Sequence, residues 1–522
     1  MTESYSPSTH PRFRDADDVL SLTPSPSPAR GEGEKITEER FSSSPLSPRG
    51  RGVGGEGAAG RCPPIAHTYL AALCFIALFA SSDQVRAGET IWKAGAARAV
   101  ITPKGPLWMA GYASRTSPAN GTLHELYVRV LALEDAAGHR AVLVSTDLLG
   151  IPRSISENVC AELWSKFRVP REAVMLNASH THCGPVLRGA LYDAYPLDES
   201  EKKKIEAYST ELEGAIIRTV GESLSRLEPA TLAFGQGATD FAVNRRNNRE
   251  PDVPAQRASH ALRGPSDHSV PVLAVRRPGG KLLAVAFGYA CHNTTLGIQQ
   301  WNGDYAGFAE TNLEEAHPGA VALFFMGCGG DQNPVPRRTV ELARKYGRMM
   351  SEAVEAVLNG KLQSLLPQLR TYYETVRLPL GDPPTRAQLA ARARERTAYV
   401  SRWANRLLKE LDSGRVLLDR YPYPIQVWQL GGTQIWIALG GEVVVDYAVE
   451  FKARYGPATW ISAYANDVMA YIPSRRVLEE GGYEGNTSMM VYGMPAERWS
   501  IYVERIIAEE VDNGVRKVGA GK

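Results

Sequence analysis

An α/β fold, with mixed β-sheets covered by helices, is what this chain predicts. Short apolar segments rich in Val, Leu and Ile alternate with longer segments of helical periodicity. The polar residues of chemical interest fall just past the ends of the strand-like segments, where ligands collect in α/β sheets. The hydrophobic fraction of 43% and charged fraction of 22% are those of a globular protein. Lys and Arg (59) nearly balance Asp and Glu (57), so no concentrated positive footprint asks for nucleic acid. Six cysteines without a Cys-x-x-Cys pair exclude both a disulfide scaffold and a thiolate metal site.

From the N-terminus, residues 1–60 are rich in Ser, Pro, Gly and Arg and bury too little apolar surface to fold, so they are expected to be disordered. Residues 61–87 combine Arg61, the apolar run 69–80 and the small-residue exit Val85-Arg86-Ala87. That is the pattern of a signal peptide, with an uncleaved anchor as its rival, and it predicts export to a periplasmic or extracellular space. Residues 88–522 are expected to form one domain.

Strands are expected at 126–134, 140–147, 172–178, 282–289, 321–326 and 433–439, each bounded by Gly, Asp, Asn or Pro. Helices are expected at 155–167, 200–223, 306–316, 340–358, 387–413, 443–455 and 496–511. Pro367 and Pro383-Pro384 suggest a seam near 360–385 between two halves, and no internal repeat is visible.

Four segments carry chemistry. Ser179-His180-Thr181-His182-Cys183-Gly184-Pro185 places two imidazoles two apart; on an extended strand they share a face, which suits a metal as well as a packed pair. His292 ends an apolar strand, where taken alone a core histidine is the more ordinary reading. Gly327-Cys328-Gly329-Gly330-Asp331 is a glycine-rich turn able to offer backbone N–H groups to an oxyanion, or simply to connect. Glu442 follows Gly440-Gly441 and reads alone as a helix cap.

Together these segments resemble the neutral/alkaline non-lysosomal ceramidase family, whose zinc motif reads His-Thr-His-Ser-Gly-Pro. Ala99-Val100-Ile101-Thr102-Pro103, Met109-Ala110-Gly111-Tyr112, Val144-Ser145-Thr146-Asp147, Asn244-Arg245, Ala465-Asn466, Tyr471 and Gly482-Tyr483 continue the likeness in order over about 93–495. The resemblance implies a ceramidase-like catalytic domain, here without the C-terminal β-sandwich of longer relatives. It implies one zinc ion per chain, held by His180, His292, Glu442 and Tyr483, with His182 beside it as a proton carrier. It further implies that Arg245 and Tyr471 hold the substrate head, while Asp331 and Asn333 belong to the catalytic turn. Asn333 stands where the family has a serine, so the expected nucleophile is zinc-activated water. The expected reaction is hydrolysis of an N-acyl amide, ceramide to sphingoid base and fatty acid, by a protein in peripheral contact with membrane lipid. Two rivals remain: a zinc hydrolase of a non-lipid amide or ester, and a non-catalytic binding protein on the same scaffold.

Overall fold

The computed structural model describes residues 91–519, so the expectations for 1–60 and 61–87 lie outside the described residues. The chain is organised on one twelve-stranded mixed sheet. Its first six strands are β1 (Trp92–Val100), β2 (Tyr127–Glu134), β3 (Arg140–Thr146), β4 (Val174–Ala178), β5 (Glu228–Ala238) and β6 (Ser269–Arg276). The others are β7 (Leu282–Tyr289), β8 (Val321–Met326), β9 (Gln363–Pro379), β10 (Arg420–Gly431), β11 (Gln434–Leu439) and β12 (Trp460–Ser462). The helices of seven residues or more are α1 (Arg153–Phe167), α2 (Glu199–Ser225), α3 (Asp304–Ala316) and α4 (Val340–Leu358), then α5 (Arg386–Arg392), α6 (Ala398–Asp412), α7 (Asp446–Tyr455) and α8 (Val503–Lys517).

β5 is the branch point. It pairs with β1 through Glu228–Ala230, with β9 through Leu232–Phe234 and with β6 through Thr231–Ala238. Three arms leave it: β1-β2-β3-β4, β6-β7-β8 and β9-β10-β11-β12. Each arm is antiparallel until its last pair; β3/β4, β7/β8 and β11/β12 are parallel. A parallel pair needs a crossover, and each has its own helix: α1, α3 and α7. The architecture thus holds three β-α-β units although the sequence shows no repeat.

The three parallel pairs abut. Ser145 Oγ donates to the Phe324 carbonyl (2.6 Å), and Ala463 N to the Met326 carbonyl (2.9 Å). Asn177, fully buried, accepts from Met326 N (2.9 Å) and donates to the Ala463 carbonyl (2.6 Å), so one amide joins all three units. Apolar side chains of every arm fill the space between these joints and the helices.

All six expected strands are present. Five of the other six carry unfavourable residues for a strand: Gly95 and four alanines in β1, Pro229 with two glycines in β5, Pro271 in β6, Pro367 and Pro379 in β9, Pro422 and Pro424 in β10. Packing overrides that propensity. At Gly95 a side chain would run into the Ser223 carbonyl of α2, so the glycine permits the helix to lie close on β1. The seam expected near 360–385 is instead crossed by β9, a seventeen-residue strand that absorbs Pro367 at a register shift between Leu366 and Leu369. The single helix expected at 387–413 is two, α5 and α6. The helix expected from 496 starts at Val503, because Trp499 is buried and donates to the Tyr471 carbonyl (2.7 Å).

Candidate metal centre and cleft

The centre forms where the β-α-β units meet. His180 follows β4, His292 follows β7 and Glu442 follows β11, all buried. The expected extended geometry at 180–182 does not occur: His180 has φ 63°, in the left-handed region. The turn still brings both imidazoles inward, with Nε2 of His182 3.1 Å from Nε2 of His180. Asp304, Tyr464 and Asn466 share the left-handed conformation (φ 55°, 54° and 65°) around the same centre. Such backbone costs energy and persists only where surrounding contacts enforce it.

The outer nitrogens decide the tautomers. Nδ1 of His180 lies 2.7 Å from the Leu149 carbonyl and Nδ1 of His292 lies 2.6 Å from the Gly329 carbonyl. A carbonyl only accepts, so Nδ1 carries the hydrogen and each Nε2 presents a lone pair. Oε2 of Glu442 lies 3.0 Å from Nε2 of His180 and 3.1 Å from Nε2 of His292. Burial, then Arg245, lowers His292 to about 4; burial, then the neighbouring His180, lowers His182 well below the ordinary value.

Neutral imidazole lone pairs and a carboxylate oxygen crowded together are a donor set for a cation. Their spacing is close to the ~3.3 Å between neighbouring ligands of a tetrahedral ion with bonds of ~2.0–2.1 Å. The residues therefore fit a divalent ion, and all three histidines lie within reach of one position. Each Nδ1–carbonyl bond of His180 and His292 is the outer-shell contact that orients a ligating imidazole.

The tyrosines are arranged differently from expectation. Tyr464 donates to Oε2 of Glu442 (3.3 Å), and Tyr492 to Oε1. The Tyr471 hydroxyl is 3.1 Å from Nε2 of His292. Tyr483, expected as a ligand, stands one ring further out, its centroid 5.3 Å from that of Tyr471, with no hydrogen bond to His180, His292 or Glu442. It opens the π-helical turn Tyr483–Thr487, which sets the ring on the cleft wall.

Beside the centre opens a cleft of about 430 Å³, whose wall includes His182, Arg245, Asn333, Tyr471 and Tyr483. Arg245 is locked in place: Nε donates to Glu484 (2.7 Å), and its terminal nitrogens to Asn333 (3.2 Å) and the Tyr471 hydroxyl (3.1 Å). Asp331 is not in the cleft. Its carboxylate accepts from Val445 N (2.8 Å) and Asn244 Nδ2 (3.0 Å) beneath it, and burial raises it to about 6. Two of the expected oxyanion donors of the turn are spent, since Gly329 N bonds the Gly327 carbonyl (2.8 Å) and Gly330 N the Val443 carbonyl (2.9 Å). Asp331 thus positions the turn, and Asn333 alone of this segment faces the cleft.

Residues 92–334 match the family model described as neutral/alkaline non-lysosomal ceramidase, N-terminal. That span is similar to the family. The matched span contains His180, His182, Arg245, His292 and Asn333; Glu442, Tyr471 and Tyr483 lie beyond it and join them through the fold. The fold is similar to the neutral ceramidase from Pseudomonas aeruginosa, with a TM-score of 0.62 at 20% identity, over 83% of this chain and 74% of that one. It is equally similar to a ceramidase complexed with C2, with a TM-score of 0.61 at 20% identity, over 80% and 74% of the two chains. No curated protein matches the sequence. Asn177, Tyr464, Tyr492, Arg115 and Thr294 went unnoticed as site residues. Asn177 and Thr294 lie within three residues of His180 and His292, and Arg115 closely follows Met109–Tyr112, so nearness to the motifs was the available signal.

Proposed function

We propose that this chain is a zinc-dependent hydrolase of an N-acyl amide, with ceramide-like compounds as the substrate class nearest its family. The observation that supports it is the meeting of two imidazole lone pairs and a carboxylate oxygen, drawn from three separate β-α-β units, at the edge of a cleft. In this reading His180, His292 and Glu442 hold the ion. A zinc ion there supplies a Lewis acid for the acyl oxygen and brings water within reach of ionisation near neutral pH.

The chain's own residues do the rest. His182, buried and neutral, takes the proton of the attacking water through a ring nitrogen as the new C–O bond forms, and returns it to the amine as the C–N bond breaks. The Tyr471 hydroxyl, oriented by Arg245, donates to the oxygen that gains charge. Asn333, held by Arg245, offers an amide donor to the substrate where the family has a hydroxyl.

The test is a screen of purified protein, with and without chelator, against ceramide and a panel of N-acyl amides. Hydrolysis lost on chelation and restored by zinc is the expected result. Absence of metal-dependent hydrolysis for every amide, with binding retained, would leave a non-catalytic binding protein on this scaffold.

A further inference from the structure

The cleft wall is unsuited to a purely apolar guest. Four of its lining side chains are arginines (Arg115, Arg245, Arg337 and Arg338), none is an acid, and Ile298 is its one aliphatic side chain. Arg245 is answered by Glu484, and Arg337 and Arg338 share the single carboxylate of Glu250. Arg115 has no ion pair with any described carboxylate, yet it is only 7% exposed. It donates to the carbonyls of Ile298 (3.2 Å) and His182 (2.7 Å) and to the side chain of Gln299, while its Nε has no partner. Thr294, 3% exposed on the same wall, has a hydroxyl without a partner. Arg115 lies over the Tyr112 ring, 5.4 Å from its centroid, and Arg337 lines the same wall.

A buried guanidinium that meets only neutral acceptors is costly, and an unpartnered hydroxyl beside it adds to the cost. Both costs are relieved by an anion, which a guanidinium binds through charge-assisted hydrogen bonds. We propose that the cleft selects N-acyl amides that carry an anionic group, a carboxylate or a phosphate, seated on Arg115 with Thr294 and Arg337. This rests on the hydrolase reading above and narrows its substrate class, away from long uncharged lipids and toward compact charged amides.

The test compares N-butanoylglycine, N-butanoylethanolamine phosphate and uncharged N-butanoylethanolamine as substrates of the full, zinc-supplemented chain. The expected result is a kcat/KM for at least one anionic compound about ten to a hundred times that of the neutral one. Arg115→Met should collapse that ratio, Arg115→Lys should retain part of it, and Thr294→Val should lower it mainly through KM. A purely structural role for Arg115 would depress all three substrates alike and leave the ratio unchanged. Calorimetric titration of the same compounds into chelated protein separates the subsite from the chemistry. Anion-selective binding that Arg115→Met abolishes supports the subsite even if no hydrolysis is seen. Equal handling of the three compounds by wild type, or an unchanged ratio in both Arg115→Met and Thr294→Val, overturns it.

Discussion

Asn177→Asp tests whether one amide holds the three β-α-β units together behind the centre. The change conserves size, so no cavity forms. The acceptor to Met326 N is kept, but the donor to the Ala463 carbonyl is replaced by a second acceptor at a distance now 2.6 Å. A buried carbonyl left unpaired costs about 1–3 kcal/mol. An ionised carboxylate facing it costs more, so the introduced group takes up a proton and its folded-state pKa rises above the unfolded ~3.9. The sign follows: a raised acid gives stability that is present below ~3.9 and lost as pH climbs through the folded value, about 1.4 kcal/mol for each unit of elevation. Denaturant unfolding of wild type and variant at pH 5 and pH 8 should therefore show a deficit of roughly 3 kcal/mol or more at pH 8, shrinking at pH 5. Zinc content should fall with it, because His180 lies three residues on. A deficit below about 1 kcal/mol, or one equal at both pH values, would refute the clamp.

Gly111→Ala should displace His182: Gly111 has φ 109°, and an added Cβ would meet Cγ of that imidazole at 2.5 Å, with the ring already packed against Tyr112 and His180. If His182 carries protons rather than metal, turnover falls ~10²–10⁴-fold with zinc content unchanged, and a matching loss of zinc would make it a ligand. His292→Ala should abolish zinc retention and activity together, whereas Asn333→Ala should cost ~10–10³-fold in turnover and leave zinc in place, as measured by metal analysis beside kinetics. Burial lifts Asp467 to about 7 despite the Tyr421 hydroxyl (2.7 Å). Folding stability should decline as pH rises from ~4 to ~7, and Asp467→Asn should flatten that decline, worth up to roughly 4 kcal/mol, in denaturant melts across that range. Terminal sequencing of protein from its native host should place the mature start near Gly88 if residues 61–87 direct export, and an intact apolar run would favour an anchor.

What the sequence displays best is the set of strands that feed the centre. β3, β4, β7, β8 and β11 are buried on both faces and read as plain apolar runs. The strands that escaped notice owe their conformation to neighbours: β9 is mostly half-exposed, and its prolines look like a break until β10 pairs beside it. His180, His292 and Glu442 were legible because each is an ionisable residue just past the end of such a run. Asp331 sits in the same kind of place, and only the bonds to Val445 and Asn244 show that it faces away from the cleft. Tyr492 carries no local pattern, since its partner lies 50 residues off.

The left-handed backbone at His180, Asp304, Tyr464 and Asn466 has a consequence for anyone improving this protein. Glycine would sit there more comfortably, by an amount on the order of 1 kcal/mol per site, so a search guided by thermal tolerance is drawn to these four positions. Each replacement would remove a working part: an imidazole, the carboxylate that accepts from Leu296 N and Tyr305 N at the start of α3, a hydroxyl on Glu442, or the amide bonded to Gln426. Tolerance to heat and competence at the centre are opposed at these residues, and gains in one are to be sought instead on the outer helices, far from the joint of the three units.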